Sequence, residues 1–213
     1  MVHRICSACL TSPRSSPCSS SMNNPQVALL EAFVVVDSVC GFSRGSPYIA
    51  FGKFALCANT TGTCNTAVGS GNLKANTTGC ENTAMGQQAL TTNTTGEFNT
   101  AFGRAALICN VSGDSNTAIG RYSLFKNTAN NNTAVGFHSL ICNTTGIKNV
   151  AIGNLTLQNN TSGSNNVAIG TSAMQLNTVG IQNIALGESA LESNTTGIRK
   201  YLLYTSDAAD DSL

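Results

Sequence analysis

A single short unit recurs along most of this chain, and it limits the possible folds more than any other feature. Its anchor is a triplet of alanine, a large apolar residue and glycine. The triplet ends at nine glycines, which are Gly52, Gly69, Gly86, Gly103, Gly120, Gly136, Gly153, Gly170 and Gly187. Their spacing is constant, except that the step from Gly120 to Gly136 is shorter by a single residue. Such a period indicates an array of structural repeats, so function has to be sought on a repeating surface.

The repeat keeps the same residue types at fixed positions. Counted from the triplet glycine as position 0, it has alanine at −2, a large apolar residue at −1, leucine at +4, asparagine at +7 and glycine at +10. Met174 replaces leucine in one copy, Asn130 is counted at the glycine position in another, and asparagine fills position −4 in eight copies. Two representative copies carry the structural residues at Ala84, Gly86, Leu90, Asn93 and Gly96, and at Ala151, Gly153, Leu157, Asn160 and Gly163.

These positions predict one strand and one corner in every coil. The segment from −4 to 0 has the length of a short strand, and alternation places the alanine and the apolar residue at −1 on opposite faces. Leucine at +4 is expected on a second short strand. The run Asn-Thr-Thr-Gly matches a type I turn, and Asn130 in place of glycine suits a left-handed backbone. Stacking of the coils should align the asparagines into a ladder of side-chain amides.

The one shorter step predicts a local irregularity. We place the missing residue in the connection between Asn130 and Gly136, after the turn. A deletion there should tighten one corner and leave the strands in register.

The repeat predicts an all-β chain, a parallel β-solenoid of about nine 17-residue coils that forms a rod about 40 Å tall. Residues 48–200 form the array, residues 1–47 an irregular or disordered segment, and residues 201–213 a tail. Residues 33–36 are a candidate strand within the first segment. That segment is interpreted as a cap for the array, a cryptic signal starting at Met22, or sequence that is not natively coding.

Composition argues against several classes of function. The formal net charge is +1 and 10% of residues are charged, which is unlike the clustered Lys and Arg of a nucleic-acid-binding protein. The sequence contains no apolar run long enough to predict a membrane-spanning helix. Of the two histidines, His3 and His138, the latter occupies a variable position of the repeat and is expected to be an exposed loop residue. We therefore expect no catalytic residue, no cofactor and no metal.

The nine cysteines do not form a regular framework. Cys6 and Cys9 are an isolated C-x-x-C pair without the second ligand pair of a zinc site. Cys64 and Cys80 are expected on neighbouring coils, where a disulfide is conceivable. Free thiols are the general expectation for the remaining cysteines.

The unit N-T-A-φ-G-x-x-A-L-x-x-N-T-T-G, in which φ is apolar, resembles the head repeats of trimeric autotransporter adhesins of the YadA type. It is also similar to 17-residue repeats of phage and giant-virus tail-fibre-like proteins. The resemblance covers residues 48–198 and implies a left-handed parallel β-roll in which three chains pack side by side. It also implies an extracellular location, on a cell surface or a virion fibre, and an adhesive rod that binds a host surface or an extracellular ligand.

Two alternatives remain open. The nearly regular threonines at +8 could form an ice-binding ladder, although Val111 interrupts them. The array could also be a spacer of a fibre without a ligand of its own. Residues 202–210 resemble the translation of a transposon-end adapter used in sequencing libraries, so we expect a non-native tail and a chain that is a fragment.

Overall fold

The computed structural model describes residues 34–35 and 48–203, and the repeats stack into one parallel β-solenoid. Eleven strands form a single sheet in chain order, each parallel to the next. They are β1 (Val34–Val35), β2 (Tyr48–Phe51), β3 (Asn65–Val68), β4 (Thr83–Met85), β5 (Thr100–Phe102), β6 (Thr117–Ile119), β7 (Thr133–Val135), β8 (Val150–Ile152), β9 (Val167–Ile169), β10 (Ile184–Leu186) and β11 (Tyr201–Leu202). The predicted all-β solenoid is confirmed.

Each coil stacks directly on the next because equivalent residues pair. Ala84, for example, is the Cα partner of Ala101, which holds the same position in the following repeat. The alanines at −2 line the interior, and Ala84 and Ala101 are fully buried. A small side chain is needed at this position because the coil is thin, and leucine at +4 fills the remaining space.

The leucine column is buried as expected, but it does not lie on a second strand. Leu90 is 0% exposed and lies in a turn, with a left-handed φ of 51°. Its N–H donates to the carbonyl of Ala106 in the next coil at 3.0 Å, so the turns are also hydrogen-bonded from coil to coil. Closing so short a coil requires sharp bends, and the left-handed residues provide them.

Two asparagine ladders run through the interior. At +7, Asn93 Nδ2 donates to Asn76 Oδ1 at 2.8 Å and to the Gly96 carbonyl of its own corner at 3.0 Å. At −4, Asn99 Nδ2 donates to Asn82 Oδ1 at 3.1 Å. The ladder predicted at +7 is therefore present, and a second one at −4 ties each strand to its neighbour.

The glycine at +10 is required for space and not for a left-handed backbone, which corrects the sequence-based explanation. Gly96 is absent from the positive-φ residues, whereas Gly86 of the triplet has a φ of 124°. A Cβ on Gly96 would lie 2.5 Å from the carbonyl oxygen of Gly113, and even closer to Asn93 Oδ1. The regular corner at Gly96 leaves room for a hydrogen atom only.

The missing residue lies within the corner, earlier than predicted. Asn127 Nδ2 donates to the Ala129 carbonyl at 2.8 Å, the bond that Asn93 makes to Gly96 in a regular coil. Ala129 therefore takes the place of the corner glycine, and the assignment of Asn130 to that place is wrong. The register is kept as predicted, since Ala118 still pairs with Ala134.

The short corner interrupts the +7 ladder. Asn110 Oδ1 is buried and has no hydrogen-bond partner among the described residues. The ladder resumes one coil later, where Asn143 Nδ2 donates to Asn127 Oδ1 at 2.7 Å. An unpaired buried acceptor costs about 1–3 kcal/mol, so this corner is a local weakness of the rod.

Restoring the full corner should stabilise the protein. Insertion of a threonine after Thr128 together with Ala129→Gly recreates Asn-Thr-Thr-Gly and gives Asn110 Oδ1 a donor. We expect the free energy of unfolding in urea to rise by about 1–2 kcal/mol. A threonine inserted after Thr145, in a corner that is already regular, is the matched control and should lower stability. No gain from the repaired corner would contradict this explanation.

The sheet extends beyond both ends of residues 48–200, the range predicted for the array. β1 pairs with β2 and overlaps the candidate strand at 33–36. β11 pairs with β10 in phase with the repeat, and Leu202 packs against the core. The other predictions for residues 1–47, including those on His3, Cys6 and Cys9, lie outside the described residues, as do those for residues 204–213.

Candidate binding surfaces

The outer side of the sheet is a continuous uncharged surface. Side chains at −3 and −1 point outward because they alternate with the buried alanine. Phe102 is 52% exposed and Ile119 40%. We define the sheet face as the outward residues of β2 to β10. They are Ile49, Thr66, Thr83, Thr100, Thr117, Thr133, Val150, Val167 and Ile184 at −3, and Phe51, Val68, Met85, Phe102, Ile119, Val135, Ile152, Ile169 and Leu186 at −1.

The size of the sheet face makes it unusual for a surface in contact with water. Nine rungs about 4.8 Å apart make a strip about 40 Å long and about 10 Å wide. Contiguous exposed apolar patches of several hundred Å² usually mark an interaction site in a protein that folds as a monomer. The apolar column at −1 is therefore better explained by contact with a partner than by exposure to water.

A second surface lies on the coil edge next to the sheet. We define the aromatic–arginine cluster as Arg104, Arg121, Tyr122, Phe137 and His138, all at positions +1 and +2 of three successive coils. The rings of Phe137 and His138 stack with centroids 3.8 Å apart and 13° between their planes. The ring of Tyr122 lies 5.4 Å from that of His138.

Both arginines of the cluster lie over aromatic rings. Arg121 Cζ is 4.8 Å from the centroid of Tyr122 and 5.9 Å from that of Phe137. Arg104 Cζ is 5.8 Å from the centroid of Tyr122. Contacts of this kind attract a cation to the face of the ring, so the rings hold the two guanidinium groups in place.

The electrostatics of the cluster reflect the two arginines. A hydrogen bond from Arg121, helped by the charges of both arginines, lowers the pKa of the Tyr122 hydroxyl. Partial burial, and then the charge of Arg121, lower the pKa of His138. The imidazole is therefore neutral at pH 7 and serves as a flat ring, while the positive charge resides on the arginines.

The expectation that His138 is simply an exposed loop residue misses this cluster. His138 is partly exposed, but its ring is packed against Phe137 and Tyr122. The signal that could have found it is the overlay of successive repeats. Positions +1 and +2 of adjacent coils must lie side by side once the period is known.

The predicted structural residues lie where the repeat places them. Six of the side chains are fully buried, those of Ala84, Leu90, Asn93, Ala151, Leu157 and Asn160, and the corner glycines Gly96 and Gly163 are buried beside them. The triplet glycines Gly86 and Gly153 lie nearer the surface, with φ values of 124° and 136°. These residues build the coil, so ligand contacts are expected at other positions of the repeat.

The threonines at +8 use their hydroxyl groups within the rod. Thr77 Oγ1 donates to the Thr94 carbonyl at 3.0 Å, and Thr144 and Thr161 repeat this bond with the next coil. Their donors are therefore satisfied internally, which weighs against an ice-binding surface on this column.

Cysteine chemistry in the array is mixed. Cys64 and Cys80, for which the sequence left a disulfide open, are both disulfide-bonded. Cys109 and Cys142 are free, as expected. Within residues 48–203, no group of His, Cys, Asp or Glu side chains is arranged to hold a metal ion.

No family model, no curated protein and no solved structure matches this chain. In the described part of the chain, no helix has the length and apolar character to cross a bilayer. Function is therefore inferred from the two surfaces.

Proposed function

We propose that this chain is a structural, adhesive rod that assembles side by side as a homotrimer through its sheet face. The observation that carries the proposal is the apolar column at −1, which repeats on every rung from Phe51 to Leu186 without a charged residue beside it on the sheet face. Removing such a column from water stabilises an assembly by about 25 cal/mol for each Å² buried.

A copy of the same chain is the partner that suits this strip. Its rungs have the same spacing of about 4.8 Å, so the apolar rows of two copies match along their whole length. One strip per chain contributes less area than a typical stable interface of about 800 Å² per partner. In a closed trimer three such strips meet around one axis, so the assembly buries three strips where a dimer buries two.

The proposed location is extracellular, on a cell surface or a virion fibre, with a host surface or extracellular ligand as the second partner. The disulfide-bonded Cys64 and Cys80 support this location, because disulfides persist in oxidising compartments. The resemblance to adhesin and tail-fibre repeats supports the adhesive role. The proposal assigns the chain no catalytic step and no cofactor.

The assembly is tested by one charge placed on the sheet face. The native chain should sediment at about three times its 22.0 kDa mass. Ile119→Glu should reduce this to the mass of one chain, because assembly would bury a carboxylate without a partner. Since Ile119 is 40% exposed in the single chain, the substitution leaves the coil interior unchanged.

The matched control is Thr171→Glu, which adds the same charge at an exposed +1 position outside the sheet face. It should keep the mass of the native chain. A trimeric Ile119→Glu variant, or a native chain that sediments as a monomer, would overturn the proposed assembly.

A further inference from the structure

The aromatic–arginine cluster is the strongest feature of the described surface that assembly does not explain. Its residues lie at +1 and +2, outside the sheet face through which the proposed trimer would assemble. In most other coils these columns carry small or uncharged residues such as Ser70, Gln87, Thr171 and Ser172. The cluster therefore breaks the repeat at one height of the rod.

The positive charge of the cluster lacks local compensation. Arg104 and Arg121 occupy the same column on adjacent rungs, which are about 4.8 Å apart. At +1, +2, +5 and +6 of the three coils there is no acidic residue, and Lys126 adds a third cation. The two guanidinium groups both lie over the ring of Tyr122 and carry like charges that repel, and an anion bound to both would relieve the repulsion.

The geometry suits an oxyanion carried on a ring. A guanidinium group donates two parallel hydrogen bonds to a carboxylate or sulfate group, and two of them can share one anion. The stacked rings of Phe137 and His138 provide a flat apolar surface beside the charges. The face of a sugar ring, which exposes C–H groups, can pack on such a surface while its acidic substituent contacts the arginines.

We propose that the aromatic–arginine cluster binds an acidic sugar, a carbohydrate that carries sulfate or carboxylate groups. The inference rests on the proposed adhesive function and names the class of its ligand. Three copies of the site, at the same height of a trimer, would bind a polymeric ligand more tightly than one copy.

The direct test is calorimetric titration of the full chain with short carbohydrates of equal length. A heparin-derived oligosaccharide carries sulfate and carboxylate groups, a hyaluronan oligosaccharide carries carboxylates only, and dextran is uncharged. We expect the heparin fragment to bind, dextran not to bind, and the hyaluronan fragment to show whether a carboxylate alone suffices. Absence of binding by both acidic sugars would overturn the proposal.

Substitutions then locate the site. Arg121→Ala should weaken binding at least about tenfold, because it removes a charge-assisted bidentate contact. Arg121→Lys should have a smaller effect, since the charge remains and the planar fork is lost. The matched control is Arg199→Ala, which removes the same charge from an exposed residue near the other end of the rod.

The control should leave the affinity unchanged within about twofold, a difference of about 0.4 kcal/mol. An equal loss from Arg199→Ala would show that the sugar responds to net charge only, and would overturn the assigned site. Tighter binding of a single-stranded oligonucleotide of the same charge, with the same dependence on Arg121, would also contradict it.

The result of the sugar-binding experiment can be separated from the result of the assembly test. A trimer that binds no acidic sugar overturns this inference and leaves the rod intact. A monomer that binds the sugar through Arg121 overturns the assembly and leaves the site in place.

Discussion

Gly96→Ala is expected to destabilise the protein by about 3 kcal/mol or more. The added Cβ would lie 2.5 Å from the Gly113 carbonyl oxygen and 3.1 Å from Asn110 Nδ2. These are backbone and ladder atoms of the next coil, so they cannot move aside without breaking the stack. The measurement is the urea midpoint of the purified variant, followed by circular dichroism.

Gly71→Ala is the matched control for this prediction. A Cβ on Gly71 would lie 3.5 Å from Gln88 Cγ, an ordinary contact with a flexible side chain. Its φ of 72° is close to the conformation that Gln88 and Ser172 adopt at the same position of other coils. The expected loss is therefore about 1 kcal/mol or less. Equal losses at Gly71 and Gly96 would show that close packing at the corner is not the cause.

The second large effect is expected for Asn99→Ala, which removes one step of the −4 ladder. Asn99 Oδ1 accepts the backbone N–H of Asn116 at 3.0 Å, and Asn99 Nδ2 donates to the Gly113 carbonyl at 2.8 Å. Alanine leaves the buried N–H of Asn116 without an acceptor and opens a small cavity. We expect a loss of about 2–4 kcal/mol, a large part of the usual 5–15 kcal/mol of a domain.

The control for the ladder is Asn154→Ala, at an exposed position where the side chain is not part of either ladder. It should change the urea midpoint little. If Asn99→Ala were equally mild, the asparagine columns would be a consequence of the turn sequence and not a source of stability.

Most of the coil could be predicted because its constraints are local and repeated. Ala84 alternates with Met85, which fixes the buried and exposed sides of the strand. Asn93 and Gly96 mark the corner, and the period places equivalent residues on top of each other. These features required only the spacing of residue types along the chain.

The bends of the coil could not be predicted from residue type. Phe98, Lys148 and Gln182 have left-handed φ values of 58°, 57° and 58° at one position of the repeat. Such residues carry no local preference for this conformation. It is imposed by closure of the coil and by the hydrogen bonds to the next coil, which act only after stacking.

The position of the deletion was also mispredicted, because the sequence alone did not decide it. Counting forward from Gly120 assigned Asn130 to the corner, whereas counting back from Gly136 assigns Ala129. The sequence supports both alignments, and the bond from Asn127 to Ala129 decides between them. The aromatic–arginine cluster escaped notice because its members do not recur and meet only when adjacent coils are overlaid.

Small-angle X-ray scattering of the full chain in solution tests the central claim most directly, since one curve reports both mass and thickness. We predict a forward scattering that corresponds to about three chains of 22.0 kDa. The rod should also have a cross-section clearly wider than one coil. A forward scattering of one chain at every concentration, with the cross-section of a single coil, would contradict the account.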